Sequence, residues 1–488
     1  MIVRAARGTA NRGSRMARVA MIGGGLVGLC AATMLGRDGH DVFVAERDPA
    51  PPPPSPLDAW PTWQRRGVSQ FRQLHYFLPR FRHVLEVELP DVVDALDAAG
   101  ALRFNPISGM PPTLTGGPRP GDERFEVLTG RRPLMEAVVA ATVAREPNVE
   151  LRRGCAVRSL VTNGSGAVPE VVGMVLDTGE RVDADVVIDA SGRRSCVSDL
   201  LAQLGGQRPV EENHDHGFVY YTRHFRSADG STPLPLGPLL QHCGSVSIVT
   251  LPADNGHWGV GIVASGKDRA ARAMRSVEVW DRVLRSFPLV AHWADGEPVA
   301  DDVEIMANIP DRYRHFVVDD RPVAVGVLPL ADAFACTNPS LGRGVSIGMM
   351  HAVALRDLLR DTDEDGASID RDALTCAWDH VTEDTVGGYV RDTLSFDEHR
   401  LAQIDAIIEG RTYEPDDVGF HLSQAFLAAA PKDPDVLRGY LDVVSVLERA
   451  PNVLADGHIA ERVVTLGADG PELPPGPDRA ALERLLAA

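Results

Sequence analysis

The chain has 488 residues, 44% of them hydrophobic, and a formal charge of −19 from 49 basic and 68 acidic side chains. That length calls for roughly two to three domains around sizeable cores, and an acidic balance spread along the chain excludes the basic footprint of a nucleic-acid binder. No run approaches the ~18 apolar residues needed to span a bilayer, so no membrane span is expected. The six cysteines, Cys30, Cys155, Cys196, Cys243, Cys336 and Cys376, are scattered with no CxxC pair, which excludes a zinc site or disulfide framework and points to a reducing, cytoplasmic setting.

Residues 1–15, "MIVRAARGTANRGSR", are basic and lack the apolar stretch of a signal peptide. A disordered extension is expected there, with the first domain opening at Met16. Residues 19–22 read as a short buried strand, 26–37 as a helix, Asp38-Gly39 as its stop, and 42–45 as a second strand ending in Glu46. In the intervening "GGGLVG", Gly23 allows the tight strand-to-helix turn, Gly25 lets the backbone approach a pyrophosphate, and Gly28 lets the helix pack closely on the sheet. The helix N-terminus then holds the phosphate charge. Glu46, eighteen residues after Gly28, is placed to accept the hydroxyls of an adenosine ribose. The unit is predicted to bind an adenine dinucleotide, which leaves NAD and FAD both open.

Residues 49–56, "PAPPPPSP", form an extended connector. Beyond it, 78–101 reads as two helices broken at Pro90, 105–122 as Pro/Gly-rich loop, and 132–145 as a helix. Strands are expected near 149–162, 171–177 and 184–190. Between 216 and 264, "FVYYTRHF", "SVSIVTL" and "HWGVGIVA" carry the β-branched and aromatic residues of antiparallel strands. On the first of these, Tyr221 and Arg223 share a face that reads either as a pocket ceiling or as core, where aromatic strand residues more often lie. "ENHDH" brings His214, Asp215 and His216 together without a third convincing metal ligand, and it reads as a solvated loop. A further apolar strand, 322–328, precedes a loop and a helix over 344–360, and 370–488 is mostly helical.

Three stretches, in order, resemble the FAD-dependent group that includes para-hydroxybenzoate hydroxylase, flavin-dependent halogenases, geranylgeranyl reductases and polyether epoxidases. They are the glycine unit followed by Glu46-Arg47, "DVVIDASGRRS" at 185–195, and "LADAFACTNPSLGRG" at 330–344. The resemblance implies a glutathione-reductase-type, Rossmann-like α/β domain that binds FAD, assembled from residues 16–65, 131–210 and 320–365. A β-rich substrate domain would come from 66–130 and 211–319, and a helical region from 366–488. It implies that Asp332 binds the ribityl or pyrophosphate part of FAD, that Pro339, Gly342 and Gly344 shape a loop beside the isoalloxazine ring, that Arg132 opens a helix next to the flavin chain, and that Val157 meets the adenine. "WQRRGVSQFRQLHYFL" at 63–78 is similar to a segment of bacterial polyether-epoxidase-like monooxygenases. Arg66, Gln70 and His75 are therefore expected to line the site, with His75 either orienting a substrate hydroxyl or acting as a proton relay near neutral pH, unless it is a structural histidine satisfied within the fold.

The function implied is that of an FAD-dependent monooxygenase. It would insert one oxygen atom of O2, by way of a flavin C4a-hydroperoxide, into an aromatic or alkene small molecule, in specialised metabolism. NAD(P)H or a partner flavin reductase would supply electrons. The alternative is a flavin-dependent reductase of C=C bonds. A halogenase is disfavoured because lysine occurs only at Lys267 and Lys432, and a non-catalytic carrier because Glu46, Asp332 and the glycine loop are intact.

Overall fold

The structure is a computed structural model and describes residues 16–164, 166, 168–214, 217–363 and 369–488. The extension expected over 1–15 lies outside them, as do Asp215 and His216. β1 (Arg18–Ile22) runs into the glycine turn, α1 (Leu26–Arg37) returns along the sheet, and β2 (Asp41–Glu46) lies parallel to β1. The five-stranded parallel sheet continues outward on both sides, in the order Val327–Pro329, Val186–Asp189, β1, β2, Val149–Arg153. Its inner strands are apolar on both faces because both are covered. Met21 and Val44 face a core shared with α1 and the helices Arg132–Val143 and Gly344–Asp363. Ala20 and Ala45 face a core shared with the antiparallel strands Val157–Thr162 and Val171–Leu176.

The register aligns Ile22 with Ala45 and with Asp189, so the carboxyl ends of three strands meet at one edge. Ligands of open α/β sheets bind in the crevice at that edge. Gly23 is held there at φ +101°, and a Cβ on it would come within 2.7 Å of the Ala190 carbonyl oxygen. Only glycine makes this turn without strain.

A second, antiparallel sheet is built in the order Leu240–Cys243, Val246–Pro252, His257–Ser265, Phe218–Arg226, Glu297–Pro298, with Glu304–Met306 also paired to Phe218–Arg226. One face packs on the helix Val277–Arg285 through Trp280, Val283 and Leu284, and on the last helix, Arg479–Ala487, through Leu482 and Leu486. The other face turns to the cavity described below. The C-terminal helices do not form one separate block. Arg371–Thr382 buries Leu374 and Trp378 in the parallel-sheet core, whereas Val418–Ala429 and Pro434–Val444 pack on Ile107 and Phe125.

The strand expected over 322–328 divides in two. Arg321–Pro322 pairs in a hairpin with Val317–Val318, and only Val327–Pro329 joins the parallel sheet, because Gly326 at φ +77° turns the chain between them.

Candidate functional site

A cavity of about 2290 Å³ opens at the carboxyl edge of the parallel sheet and extends beneath the antiparallel sheet to the C-terminal helices. Its volume exceeds the ~300–1,000 Å³ of an ordinary single-ligand pocket. Gly23, Gly25, Gly28, Glu46, Arg47, Arg132, Val157, Asp332, Pro339, Gly342 and Gly344 all line it, together with Gln70 and His75. Sequence segments more than 300 residues apart therefore share one chamber. Among the described residues, no group of His, Cys, Asp and Glu is gathered to hold a metal.

At the glycine turn, Glu46 is buried and its two oxygens are partly committed. Oε2 accepts from the Gly24 N–H at 2.8 Å and from Arg65 Nη2 at 2.5 Å, while Oε1 accepts from the Asp48 N–H at 2.8 Å. Arg65 also donates to the Gly24 carbonyl at 3.0 Å and to Glu136 Oε2 at 2.6 Å. It thus ties the glycine loop to β2 and to the helix Arg132–Val143. Burial alone would raise the Glu136 carboxyl, but Arg132 and Arg65 together hold it below its ordinary range. Sequence reasoning selected the neighbouring Arg66, which is exposed and does not line the cavity. The segment around them is irregular, so no period showed which of the two arginines turns inward.

Across the cavity, Asp332 follows the strand Val327–Pro329 and hydrogen-bonds to no protein group among the described residues. Burial pushes its carboxyl up, against Arg132, Arg193 and Arg312, which act to lower it. The turn Pro339–Leu341 and Gly342, at φ +66°, lead into the helix that begins at Gly344. The first N–H groups of such a helix have no acceptor within it, and they give its end a partial positive charge.

These features fit FAD on two observations. A Cβ built on Gly25 meets nothing within 4 Å, and one on Gly344 meets only Asp332 Oδ1, at 4.0 Å. Backbone at both ends of the cradle is bare toward open space, and a carboxylate without a partner waits between them.

His75 lines the cavity in a state that departs from the expected relay. Its Nδ1 donates to the Gln73 carbonyl at 2.9 Å, since a carbonyl only accepts, and its Nε2 accepts from Arg132 Nη1 at 3.1 Å. Burial, reinforced by the Arg132 charge, pushes its pKa down to about 3. His75 is therefore neutral near pH 7 and holds Arg132 in place, while Arg132 Nε bonds Glu136 at 2.6 Å.

The expected pair Tyr221 and Arg223 lies on the wrong face. Strand side chains alternate, and here Tyr220 and Thr222 line the cavity. Tyr221 joins the core behind the sheet, where its carbonyl accepts from Trp280 Nε1 at 2.9 Å, and Arg223 lies over the Phe225 and Trp280 rings. The central motif contributes Asp189, buried and bonded to Ser191 Oγ and Ser195 Oγ at 2.5 Å. It shapes the turn that carries Ala190, Ser191 and Gly192 along the cavity. The C-terminal helices supply a wall that sequence reasoning missed, with Phe396, His399 and Phe420 among its side chains.

No family model matches the chain. Protein Rv3254 of Mycobacterium tuberculosis is 27% identical over 360 residues, which is 70% of this chain and 72% of the relative. Among solved structures, PqsL of Pseudomonas aeruginosa, described as a probable FAD-dependent monooxygenase, superposes with a TM-score of 0.57 at 16% identity, over 80% of this chain and 100% of its own. The p-nitrophenol 4-monooxygenase PnpA of Pseudomonas putida does so with a TM-score of 0.56 at 18% identity, over 89% and 99%. The chain has the FAD-dependent monooxygenase fold. That fold is shared by the flavin-dependent brominase Bmp2, with a TM-score of 0.53 at 14% identity over 97% of this chain and 98% of its own. Chemistry within the monooxygenase fold therefore has to be argued from the residues of the cavity. Of the two lysines, Lys267 pairs with Asp405 at 2.6 Å and does not line the cavity, whereas Lys432 lines it as an exposed residue whose Nζ donates to the Leu466 carbonyl.

Proposed function

We propose that this protein is an FAD-dependent monooxygenase that hydroxylates or epoxidises an aromatic or alkene small molecule with one atom of O2. The observation that carries the proposal is the continuity of one chamber, from the glycine turn through the Asp332 loop to an apolar wall. Gly23, Gly25, Glu46, Arg47 and Val157 would hold the adenosine and pyrophosphate end of FAD. Asp332 would take the ribityl hydroxyls, and the loop from Pro339 to Gly344 would lie along the ring. When bound, FAD supplies the redox chemistry, with electrons from NAD(P)H or from a partner flavin reductase.

The chain's own contribution is placement, charge and dryness. The free N–H groups at Gly344 and the Arg132 guanidinium put positive potential at one end of the chamber, which stabilises negative charge developing there. Arg132 keeps its direction because His75 and Glu136 grip it from two sides. Leu74, Val249, Leu251, Val263 and Met306 form an apolar roof that keeps water from a reactive centre.

Products test the reading. Under oxygen-18 gas, a yellow, FAD-loaded protein is expected to give product with one labelled oxygen, with NADPH alone or with an added flavin reductase. A reduced product without label would transfer the assignment to a C=C reductase, and a colourless protein that refuses FAD would make it a carrier.

A further inference from the structure

Arg343 sits between Gly342 and Gly344 and lines the cavity. It is 9% exposed, and among the described residues its guanidinium makes no hydrogen bond and no ion pair. Most other buried arginines are engaged, although both Nη atoms of the half-buried Arg153, which does not line the cavity, also lack a hydrogen-bond partner among the described residues. Arg65 pairs with Glu46 and Glu136, Arg82 with Glu86, Arg131 with Asp254, Arg314 with Glu211, Arg356 with Glu88 and Arg438 with Asp122. Arg400 donates to the carbonyls of Gly244 and Val246, and Arg223 lies over two rings. A guanidinium keeps its proton under all ordinary conditions, so Arg343 is a largely buried cation that faces the cavity and has no side-chain partner among the described residues.

The acids near it do not neutralise it. Asp392 is taken by Arg449, which donates to it at 3.0 and 2.9 Å. Asp397 accepts from Ser340 Oγ, and burial together with Asp311 pushes its carboxyl well above the ordinary range, which favours the neutral form. Tyr440 and Tyr389 also act on Arg343.

We propose that Arg343 anchors a carboxylate on the substrate, so that the molecule oxidised is an aromatic or alkenyl acid. The inference rests on the monooxygenase reading for the reaction, and on the unpaired guanidinium alone for the binding. The planar fork of arginine matches a carboxylate bidentately. A phosphate, which carries ≈ −1.5 to −2 charges near pH 7, is a poorer match for one free cation among Asp392 and Asp397. The subsite joins the flavin loop to the C-terminal helices, since Tyr440 lines the same cavity, and so an acid held there lies within the chamber where the chemistry is assigned.

The test uses the FAD-loaded protein and three flat acids, benzoate, 2-naphthoate and anthraquinone-2-carboxylate, each beside its amide, with binding followed by calorimetry. On at least one scaffold the acid is expected to bind roughly tenfold or more tighter than the amide, the size of a charge-assisted hydrogen-bonded contact. Arg343→Met is expected to erase that preference while amide affinity and flavin content stay at the wild-type level, and Arg343→Lys to retain part of it. No acid preference on any scaffold in the wild-type protein overturns the proposal, as does an Arg343→Met protein that keeps the preference or that loses FAD instead. An acid-selective protein that inserts no oxygen would sink the reaction and leave the anchor standing. Labelled product without acid preference would do the reverse.

Discussion

Removing the Arg65 guanidinium, as in Arg65→Met, is expected to loosen the glycine turn while keeping most of the side-chain volume. Arg65 is 3% exposed at its side chain and ion-paired at 2.5 Å to Glu46 and 2.6 Å to Glu136. Breaking a buried pair by deleting one partner costs about 3–5 kcal/mol, chiefly because the other charge is left behind. Here both carboxylates keep some support, since Glu46 retains two backbone N–H donors and Glu136 retains Arg132. The low end is therefore expected, about 3 kcal/mol or roughly a 150-fold loss in the equilibrium that orders the loop. Urea unfolding followed by tryptophan emission measures the first quantity, and flavin absorbance per mole of purified protein reports the second. The control is Arg66→Ala, one residue away and exposed, for which a change within about 0.5 kcal/mol is expected. If Arg65→Met lost less than about 1 kcal/mol and stayed fully yellow, or if Arg66→Ala matched it, the clamp would be refuted.

Two glycines two positions apart are expected to fail differently. Gly23→Ala is opposed by the protein itself, at φ +101° with the Ala190 carbonyl 2.7 Å from the new Cβ, and should lower stability by about 1–3 kcal/mol. A Cβ on Gly25 meets nothing within 4 Å, so Gly25→Val should melt close to the flavin-free wild type and yet purify colourless. Burial raises the Glu304 carboxyl from its ordinary value to about 7. Below pH 4.5 both the folded and unfolded chains carry this proton, and above pH 7 only the folded chain must bury the ionised form. Wild-type stability is therefore lost as pH climbs through that window, and Glu304→Gln should gain about 1–2 kcal/mol over wild type at pH 8 after solvent screening, but nothing at pH 4. Thr222→Phe narrows the cavity roof and should raise KM for bulky substrates roughly tenfold. Tyr221→Phe on the opposite face should leave KM unchanged, and a steady-state comparison of the two decides which face meets substrate.

Much of the glycine-turn end of the cavity was readable in the sequence because glycine, strand and acid occur there at fixed spacings imposed by local geometry. Gly23, Glu46, Asp332 and Gly344 line one cavity in the structure. The substrate end was not readable in the same way. Phe218–Arg226 is buried on both faces along most of its length, so hydrophobic alternation carries no sign of which face meets a helix and which meets a cavity. Arg65 and Arg66 lie in turns without a period, where a one-residue difference separates a buried clamp from a solvent charge. His75 was found by its position, but its neutrality depends on Arg132 and on burial by distant elements. The wall supplied by residues beyond 390 depends on long-range packing that no local pattern announces.

The order of the parallel sheet also sets a timetable for synthesis. Strand Val327–Pro329 is hydrogen-bonded to Val186–Asp189, which pairs in turn with β1, although about 300 residues separate the first and last of these along the chain. At ~5–20 residues per second on the ribosome, the glycine turn waits roughly 15 to 60 seconds before the strand that leads into Asp332 emerges to close the sheet beside it. The C-terminal wall of the chamber follows later still. A nascent chain can thus fold its first βαβ turn early, but the cavity closes only after residues beyond 390 have emerged, and removal of those residues would leave a sheet with an unwalled crevice.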